Sequence, residues 1–455
     1  MPNILNDLST GWRLPHDANP PEAAITSSYR CRCGRAVFFR NSQCVACGTA
    51  LGYDPVRSLL LPLLPVEQTE APPPAEGAAP LLPLWQPAEG FGDANSRYKR
   101  CTNFDTVAGC NWLLSADEPA TLCIACRLNR TIPDLSDPEN QVLWRRIEVA
   151  KRRLVAQLLR LGLPVKSRVS EDPQGMMFDL LRANAGSTPV MTGHDEGLIT
   201  LNVEEADDAR REQVRKSMHE PYRTMLGHFR HEVGHYYWDR LVRDTEWLEP
   251  FRVRFGDERA DYQEALNRHY QNGPAPDWPQ RCVSAYASMH PWEDWAETWA
   301  HYLHMVDTML TARGLGINGE NIELEIEPFG TADLDIADAP DADRFLQFIN
   351  IWVELSAAMN ELSRAMGQQD QYPFVLSRPA IAKLHFVHRL VTATREATNA
   401  TPEPTPVTVD PIAASVAPLE TPPPAVEASP EQSMQAEGEG ALSGSAGTAS
   451  STPAG

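Results

Sequence analysis

The sequence predicts an α+β fold in which small four-cysteine modules precede a larger and mainly helical domain. Eight of the nine cysteines fall before residue 127, in groups with the spacing of metal ligands. Beyond residue 136, apolar residues recur at helical spacing over several long stretches. A short segment within that region, residues 197–203, has the β-branched alternation of a strand. Together these patterns indicate helices packed with a small sheet, behind a cysteine-rich amino-terminal region.

Composition limits the classes of protein to which the chain can belong. It has 455 residues and a formal net charge of −21, which argues against a general nucleic-acid or membrane-surface binder. No run of 18 apolar residues is present, so no transmembrane helix is expected. The amino terminus lacks the basic and apolar blocks of a secretory signal. These features and the close cysteine pairs predict a cytoplasmic protein.

Residues 1–58 are predicted to contain a zinc ribbon. Two close cysteine pairs flank the short segment Val37-Phe38-Phe39, and a glycine closely follows each pair. Four thiolates match a closed tetrahedral zinc site, which leaves no position for substrate. The alternative is four buried cysteines without a metal. The predicted ligands are Cys31, Cys33, Cys44 and Cys47.

Residues 59–95 are predicted to be a semi-rigid linker, because prolines recur there among alanine and glutamate. A second four-cysteine module is predicted over residues 96–135. Its cysteines can form a second zinc site or share a site with the first group, and spacing alone does not choose between these pairings. We favour two sites, the second formed by Cys101, Cys110, Cys123 and Cys126.

Residues 136–396 are predicted to form the larger domain. Helical spacing predicts helices at 138–162, 204–220, about 341–366 and about 379–394, with an acidic loop-like segment before the last two. From residue 397 to residue 455 the chain is rich in proline and alanine, and this segment is predicted to be a disordered tail. Such a composition cannot bury enough apolar surface to fold.

The stretch HFRHEVGHYYWDRL, residues 228–241, indicates chemistry most directly. Residues four apart share one face of a helix, so His231 and His235 can present both imidazoles to one zinc ion. Glu232 then lies beside the open coordination position, where it can act as a general base. Five residues can match this H-E-x-x-H pattern by chance, so its weight depends on the rest of the chain.

A third protein ligand is expected from a second predicted helix, in the stretch SAYASMHPWEDWAETW. Glu293 and Glu297 stand one turn apart there, so Glu293 can complete the metal site while Glu297 orients a ligating histidine. The main alternative is Glu297 as the ligand. His228 lies seven residues from His235, about 10 Å along a helix, so both cannot bind one ion. We expect His228 to pack beside the site.

Three segments carry a family resemblance: HFRHEVGHYYW, FGDERADYQEAL and SAYASMHPWEDWAETWAHYLH. They resemble a bacterial family of zinc-binding metallopeptidases with an N-terminal zinc ribbon, over most of residues 28–395 apart from the linker. The Y-x6-E-x3-E pattern is also similar to the gluzincin site of the lethal-factor type. The resemblance implies a zincin-like fold, and it implies residue roles: Glu293 as zinc ligand, Glu297 as supporting carboxylate, Tyr286 as transition-state hydrogen-bond donor and Glu232 as base.

The sequence therefore predicts a zinc metallopeptidase, an endopeptidase of gluzincin type that uses a zinc-activated water. Glu232 would accept the water proton and pass it to the leaving amine, and Tyr286 would hydrogen-bond the developing oxyanion. The alternative for Tyr286 is a position in the core. The expected cofactors are one catalytic zinc ion and one or two structural zinc ions.

The expected partners are a peptide or protein substrate and a protein partner recruited through the zinc ribbons, whereas nucleic acid and membrane are not expected. One alternative is an adaptor whose zincin domain only binds, and another is a zinc amidohydrolase acting on a non-peptide amide. By analogy with zincins, the strand at 197–203 would offer an edge to an extended substrate. An ordinary sheet strand is the alternative there.

Overall fold

The computed structural model describes residues 28–66, 82–183, 190–218, 220–317, 322, 324 and 326–400. Eleven strands lie in these residues: β1 (Ser28–Arg30), β2 (Ala36–Phe38), β3 (Ala50–Asp54), β4 (Leu59–Pro65), β5 (Leu84–Pro87), β6 (Tyr98–Arg100), β7 (Leu113–Ser115), β8 (Asn129–Thr131), β9 (Met177–Leu181), β10 (Gly193–Asp195) and β11 (Leu198–Asn202). The helices over the same residues are α1 (Pro138–Arg160), α2 (Asp208–Ser217), α3 (Met225–Leu241), α4 (Leu248–Phe255), α5 (Tyr262–Asn272), α6 (Trp278–Arg281), α7 (Pro291–Gly314), α8 (Ala342–Ala365) and α9 (Arg378–Ala400).

The amino-terminal unit is built on a five-stranded antiparallel sheet in the order β3-β4-β5-β6-β7, with the β1–β2 hairpin beside it. Apolar side chains hold this unit together. Tyr53 and Trp112 are buried with ring centroids 5.0 Å apart, and Phe39 meets Tyr53 edge-on at 4.7 Å. The sheet runs from just after the first group of cysteines into the second group.

The predicted linker at residues 59–95 is wrong at both ends, because β4 and β5 lie there and pair with each other. Leucines in β4 are buried, and the apolar surface that they cover favours a strand over an extended linker. Pro62 cannot donate a hydrogen bond, but its carbonyl oxygen accepts from the amide of Ala88 at 2.8 Å. The middle of that prediction, residues 67–81, lies outside the described residues.

The second sheet has the order β10-β11-β9-β8, in which β8, β9 and β11 run parallel and β10 pairs antiparallel with β11. The predicted strand at 197–203 is confirmed as β11, but its predicted role as an edge is wrong. β11 is flanked by β9 on one side and by β10 on the other, so its own hydrogen bonds are used within the sheet. In the described residues, β10 is the edge strand on this side.

Helices α3 and α7 pack against each other at the centre of the larger unit. Gly234 permits this close approach, because a Cβ at that position would lie 3.1 Å from Ala296 Cα. Trp295 and Trp299 of α7 are fully buried, and the Trp295 indole donates to the Gly234 carbonyl at 2.8 Å. The contact therefore fixes the distance between the two helices that carry the candidate histidine and glutamate ligands.

The other predicted helices are confirmed with small differences in their bounds. α1, α8 and α9 match the predicted segments, while the predicted helix at 204–220 is a short 3-10 turn, Val203–Ala206, followed by α2. α9 continues through residue 400, so it includes the first four residues of the predicted tail. The remainder of that tail, residues 401–455, lies outside the described residues. The mixed helix and sheet architecture agrees with the predicted α+β class.

Candidate metal centres and catalytic site

Three side chains from α3 and α7 converge at one point between the two helices. His231 Nε2 lies 3.2 Å from His235 Nε2, since the residues are one helical turn apart. Glu293, in the first turn of α7, places Oε2 3.0 Å from His231 Nε2 and Oε1 3.5 Å from His235 Nε2. Spacing in the sequence predicts the pair of histidines, the resemblance implies Glu293 as the third ligand, and the fold brings the three together.

The geometry of the trio fits a zinc ion. Two nitrogen or oxygen ligands of tetrahedral zinc lie about 3.3 Å apart, because each is about 2.0–2.1 Å from the metal. Glu293 is only 3% exposed, and its Oε2 has no hydrogen-bond partner among the described residues although it faces His231. A buried carboxylate oxygen without a donor is costly unless a cation satisfies it.

Glu297 contacts His231 on the ring nitrogen that faces away from the trio. Its Oε1 lies 2.8 Å from His231 Nδ1, and its Oε2 accepts from the Ser284 hydroxyl at 2.6 Å. With Nδ1 donating to the carboxylate, a neutral His231 would present the lone pair of Nε2 to a metal ion. Burial lowers the pKa of His231, but Glu293 and Glu297 raise it well above its ordinary value, so a metal ion bound at Nε2 would take the place of a proton there.

Tyr262 supports the carboxylate of the trio, and the sequence patterns did not identify it. Its hydroxyl donates to Glu293 Oε1 at 3.1 Å from the start of α5. Asp261 caps that helix by accepting from the amide of Glu264. Tyr262 lies in FGDERADYQEAL, one of the three segments that carry the family resemblance, but the resemblance assigns it no role.

Glu232 follows His231 in α3 and is 8% exposed. Burial is the main reason that the pKa of Glu232 lies above its ordinary value, because the charged carboxylate is poorly solvated there. By contrast, burial raises the pKa of Glu293 but the two histidines lower it by more, to well below its ordinary value. The two carboxyl groups therefore differ in environment, as an acid-base group and a ligand must.

Tyr286 lies in a 3-10 turn just before α7 and is half-buried. Its ring centroid is 6.0 Å from that of His231 and 5.7 Å from that of His269. The side chain therefore borders the trio, and it also packs against the small buried cluster of Ala265, Leu266 and Met289. His228 has Nδ1 3.7 Å from Glu205 Oε2 and is not a member of the trio, as its spacing predicts.

His194 is a further side chain at the site that no sequence pattern singled out. It comes from β10, and its ring stacks on that of His235 with centroids 6.2 Å apart and an interplanar angle of 16°. Its Nε2 accepts from the amide of Gly197 at 2.8 Å. Burial lowers the pKa of His194 to about 3, which favours the neutral ring.

The cysteines of the amino-terminal unit form two separate clusters, as the favoured pairing predicts. The Sγ atoms of Cys31 and Cys47 are 3.5 Å apart, and those of Cys33 and Cys44 are 3.7 Å apart. All nine cysteines are free, and these separations match the edge of about 3.8 Å expected for thiolates at about 2.3 Å from tetrahedral zinc. The second cluster contains Cys101, Cys110, Cys123 and Cys126.

The two clusters differ in exposure. In the first, Cys33 and Cys47 are exposed, and hydrogen bonding from Thr49 lowers the pKa of Cys47 to about 6. All four cysteines of the second cluster are buried. Arg152 of α1 is buried next to that cluster and donates to the Ala108 carbonyl at 3.1 Å. A buried guanidinium there offsets the charge of neighbouring thiolates.

Comparison with known families gives two matches. The family described as "Putative zinc-binding metallo-peptidase" matches residues 140–390. A zinc-ribbon domain family matches residues 28–137, a range that includes both cysteine clusters and the whole five-stranded sheet. The family matches therefore divide the chain just before α1, at the start of the larger unit.

Similar proteins occur in mycobacteria. Uncharacterized proteins of Mycobacterium tuberculosis and Mycobacterium bovis are each 39% identical to this chain over 360 residues, which is 79% of this chain and 93% of theirs. No solved structure matches the chain. Every helix in the described residues is too short or too polar to span a membrane.

Proposed function

Because this chain belongs to the zinc-binding metallo-peptidase family, we propose that it hydrolyses peptide bonds at the trio of His231, His235 and Glu293. The observation that supports this most strongly is the convergence of three ligand atoms beside a buried glutamate, Glu232. A site that only stores zinc has no use for a carboxyl group with a raised pKa at that position.

The trio would hold one zinc ion, and the cysteine clusters would hold two more. A zinc ion in the trio would supply a Lewis acid and a water of lowered pKa. Glu297 and Tyr262 keep His231 and Glu293 in their ligand orientations, through the hydrogen bonds at 2.8 and 3.1 Å. These supporting contacts reduce the reorganisation that metal binding would otherwise require.

Glu232 is the proposed general base. It would accept a proton from the attacking water and deliver it to the leaving amine, a role that suits a carboxyl group whose pKa burial has raised. Tyr286, at the border of the trio, would donate to the oxyanion that develops on the scissile carbonyl. Both residues act at atoms of the reactants and neither is needed to hold the metal.

The proposed substrate is an extended peptide that adds to the edge of β10. This strand lies beside the trio, since His194 of β10 stacks on His235. In the described part of the chain, no strand pairs with the outer edge of β10. Such an edge offers amide and carbonyl groups to a second strand, which supports a peptide substrate more than a small amide in a closed pocket.

The zinc ribbon is the proposed site of recruitment for an acidic segment of the substrate or partner. Arg30, Arg32, Arg35 and Arg40 are exposed around the first cysteine cluster. No Asp or Glu occurs between residue 28 and residue 53, in a chain whose net charge is −21. Phe38 is 56% exposed on the same hairpin. A basic surface with an exposed aromatic ring attracts acidic peptides and can anchor them.

The test measures zinc content per chain and hydrolysis of a mixed peptide library for the wild type, His235→Ala and Glu232→Gln. We expect His235→Ala to lose one zinc ion and Glu232→Gln to retain it, since Glu232 is not a ligand. Glu232→Gln should lower kcat by about 100-fold or more, the usual effect of losing a general base.

Unchanged zinc content in His235→Ala would contradict the site itself. A wild type that binds zinc in the trio but cleaves no peptide would favour the alternative of an adaptor whose zincin domain only binds. Cys282→Ser, at a cysteine outside all three metal groups, is the control for the zinc measurement and should leave the zinc content unchanged.

A further inference from the structure

A small cavity of about 40 Å³ lies between the zinc-ribbon unit and the larger unit. Tyr29 and Tyr53 line it from the ribbon, Arg153 and Arg160 line it from α1, and Asp307 lines it from α7. A single water needs a cavity of about 10–15 Å³, so this cavity has room for a group of a few heavy atoms. Its lining includes no residue of the three metal groups.

Two polar groups in the cavity wall have no partner among the described residues. Tyr53 is 0% exposed and its hydroxyl makes no hydrogen bond, and the Nε of Arg160 is also buried without an acceptor. A buried donor without an acceptor costs free energy, so native structures supply one. The Arg160 Nε–H can only donate and the Tyr53 hydroxyl can donate as well, so an acceptor in the cavity would satisfy both groups.

The charges around the cavity favour an anion. Asp307 is the single carboxylate in the lining, and its Oδ2 already accepts from Arg153 and from Arg230, each at 2.7 Å. The lining has two arginines, Arg153 and Arg160, and one aspartate, so its net charge is positive beside the Tyr53 hydroxyl. A guanidinium with neighbouring hydroxyl donors is well suited to bind an oxyanion.

We propose that this cavity is a binding site for a small oxyanion, of the size of phosphate or a carboxylate group. Arg160 would pair with its charge, and Tyr53 would donate to one of its oxygens. Because the lining comes from β1, β3, α1 and α7, the bound anion would join the zinc ribbon to the helices of the larger unit. Nothing in this site takes part in the proposed hydrolysis.

The test is isothermal titration of the full-length, zinc-loaded protein with sodium phosphate and, separately, with sodium acetate, at low and constant ionic strength. We expect saturable binding of one of these anions with a dissociation constant below about 10 mM. Arg160→Gln should weaken binding at least about tenfold, as loss of a charged hydrogen bond does. Arg145→Gln removes an exposed charge from the same helix and should bind as the wild type does.

Two further variants distinguish anion binding in this cavity from anion binding at the trio or elsewhere on the protein. Tyr53→Phe removes the unpartnered hydroxyl, so it should fold normally and still bind the anion several-fold more weakly. His235→Ala disrupts the trio and should leave anion binding unchanged. Saturable binding of neither anion would overturn the proposal. So would anion binding that survives Arg160→Gln, or that disappears in His235→Ala, because phosphate would then bind at the trio.

Discussion

Among single residues, Tyr262 has the clearest part in shaping the candidate catalytic site, because its hydroxyl donates to Glu293 Oε1 and leaves Oε2 to face His231. Pairs such as His231 and His235 are visible in a sequence, since residues four apart share a helix face. Tyr262 and Glu293 are 31 residues apart in different helices. No periodicity relates such positions, so their contact could not be predicted from the sequence.

We expect Tyr262→Phe to weaken zinc binding in the trio by about tenfold to 100-fold, the usual effect of losing a hydrogen bond to a ligand. Competition with a chromophoric chelator measures this affinity. Tyr270→Phe, near the other end of α5, is the matched control. Equal zinc affinities for the two variants would show that the hydrogen bond from Tyr262 to Glu293 does not contribute to zinc binding.

Tyr286 differs from Tyr262 in the stage at which we expect it to act. Tyr286→Phe should lower kcat by about 100-fold, the effect of removing one oxyanion donor, while zinc content and KM change little. Steady-state kinetics on a cleaved library peptide measures the two constants separately. A rise in KM at constant kcat would instead place Tyr286 in substrate binding alone.

Among elements, the strands were predicted less completely than the helices. Helix α1 has apolar residues at a regular spacing over its 23 residues, and so long a pattern identifies a helix without knowledge of its neighbours. β4 carries two prolines and β10 has only three residues, so neither has a strand pattern of its own. Their pairing partners define them, and pairing is a property of the folded chain.

The edge of β10 gives a prediction about peptide substrates. A peptide methylated on the backbone nitrogens that face β10 should bind roughly twofold to tenfold more weakly for each hydrogen bond lost. Binding to Glu232→Gln, which we expect to turn the peptide over very slowly, measures this with little interference from cleavage. The same peptide methylated at nitrogens that point away from β10 is the control. Equal binding of both peptides would exclude addition to the sheet edge.

At the scale of the whole molecule, the buried second cysteine cluster and the more exposed first cluster have different structural surroundings. The second cluster packs against Arg152 of α1, whereas two cysteines of the first are exposed beside the β1–β2 hairpin. A zinc ion in the second cluster would therefore contribute to the stability of the junction between the two units. One in the first cluster would join the β1–β2 hairpin to the segment of Cys44 and Cys47 that leads into β3.

Cys123→Ser should therefore lower the midpoint of urea unfolding for the entire chain, because it removes a ligand from a buried site. Cys47→Ser should leave that midpoint nearly unchanged while it releases one zinc ion. Near-ultraviolet circular dichroism reports the unfolding, since many of the tryptophans lie in the larger unit. Similar midpoints for the two variants would contradict the difference in roles.

Strand β8 has a consequence for the order in which the chain can fold during its synthesis. β8 follows Cys126 by three residues, yet it pairs with β9 in the sheet of the larger unit. A ribosome therefore completes the last cysteine of the second cluster just before it makes the first strand of that sheet, and α1 and β9 follow. The larger unit therefore begins to fold on β8, a strand that directly follows the second cysteine cluster. We expect a shortage of zinc during translation to impair the folding of both units.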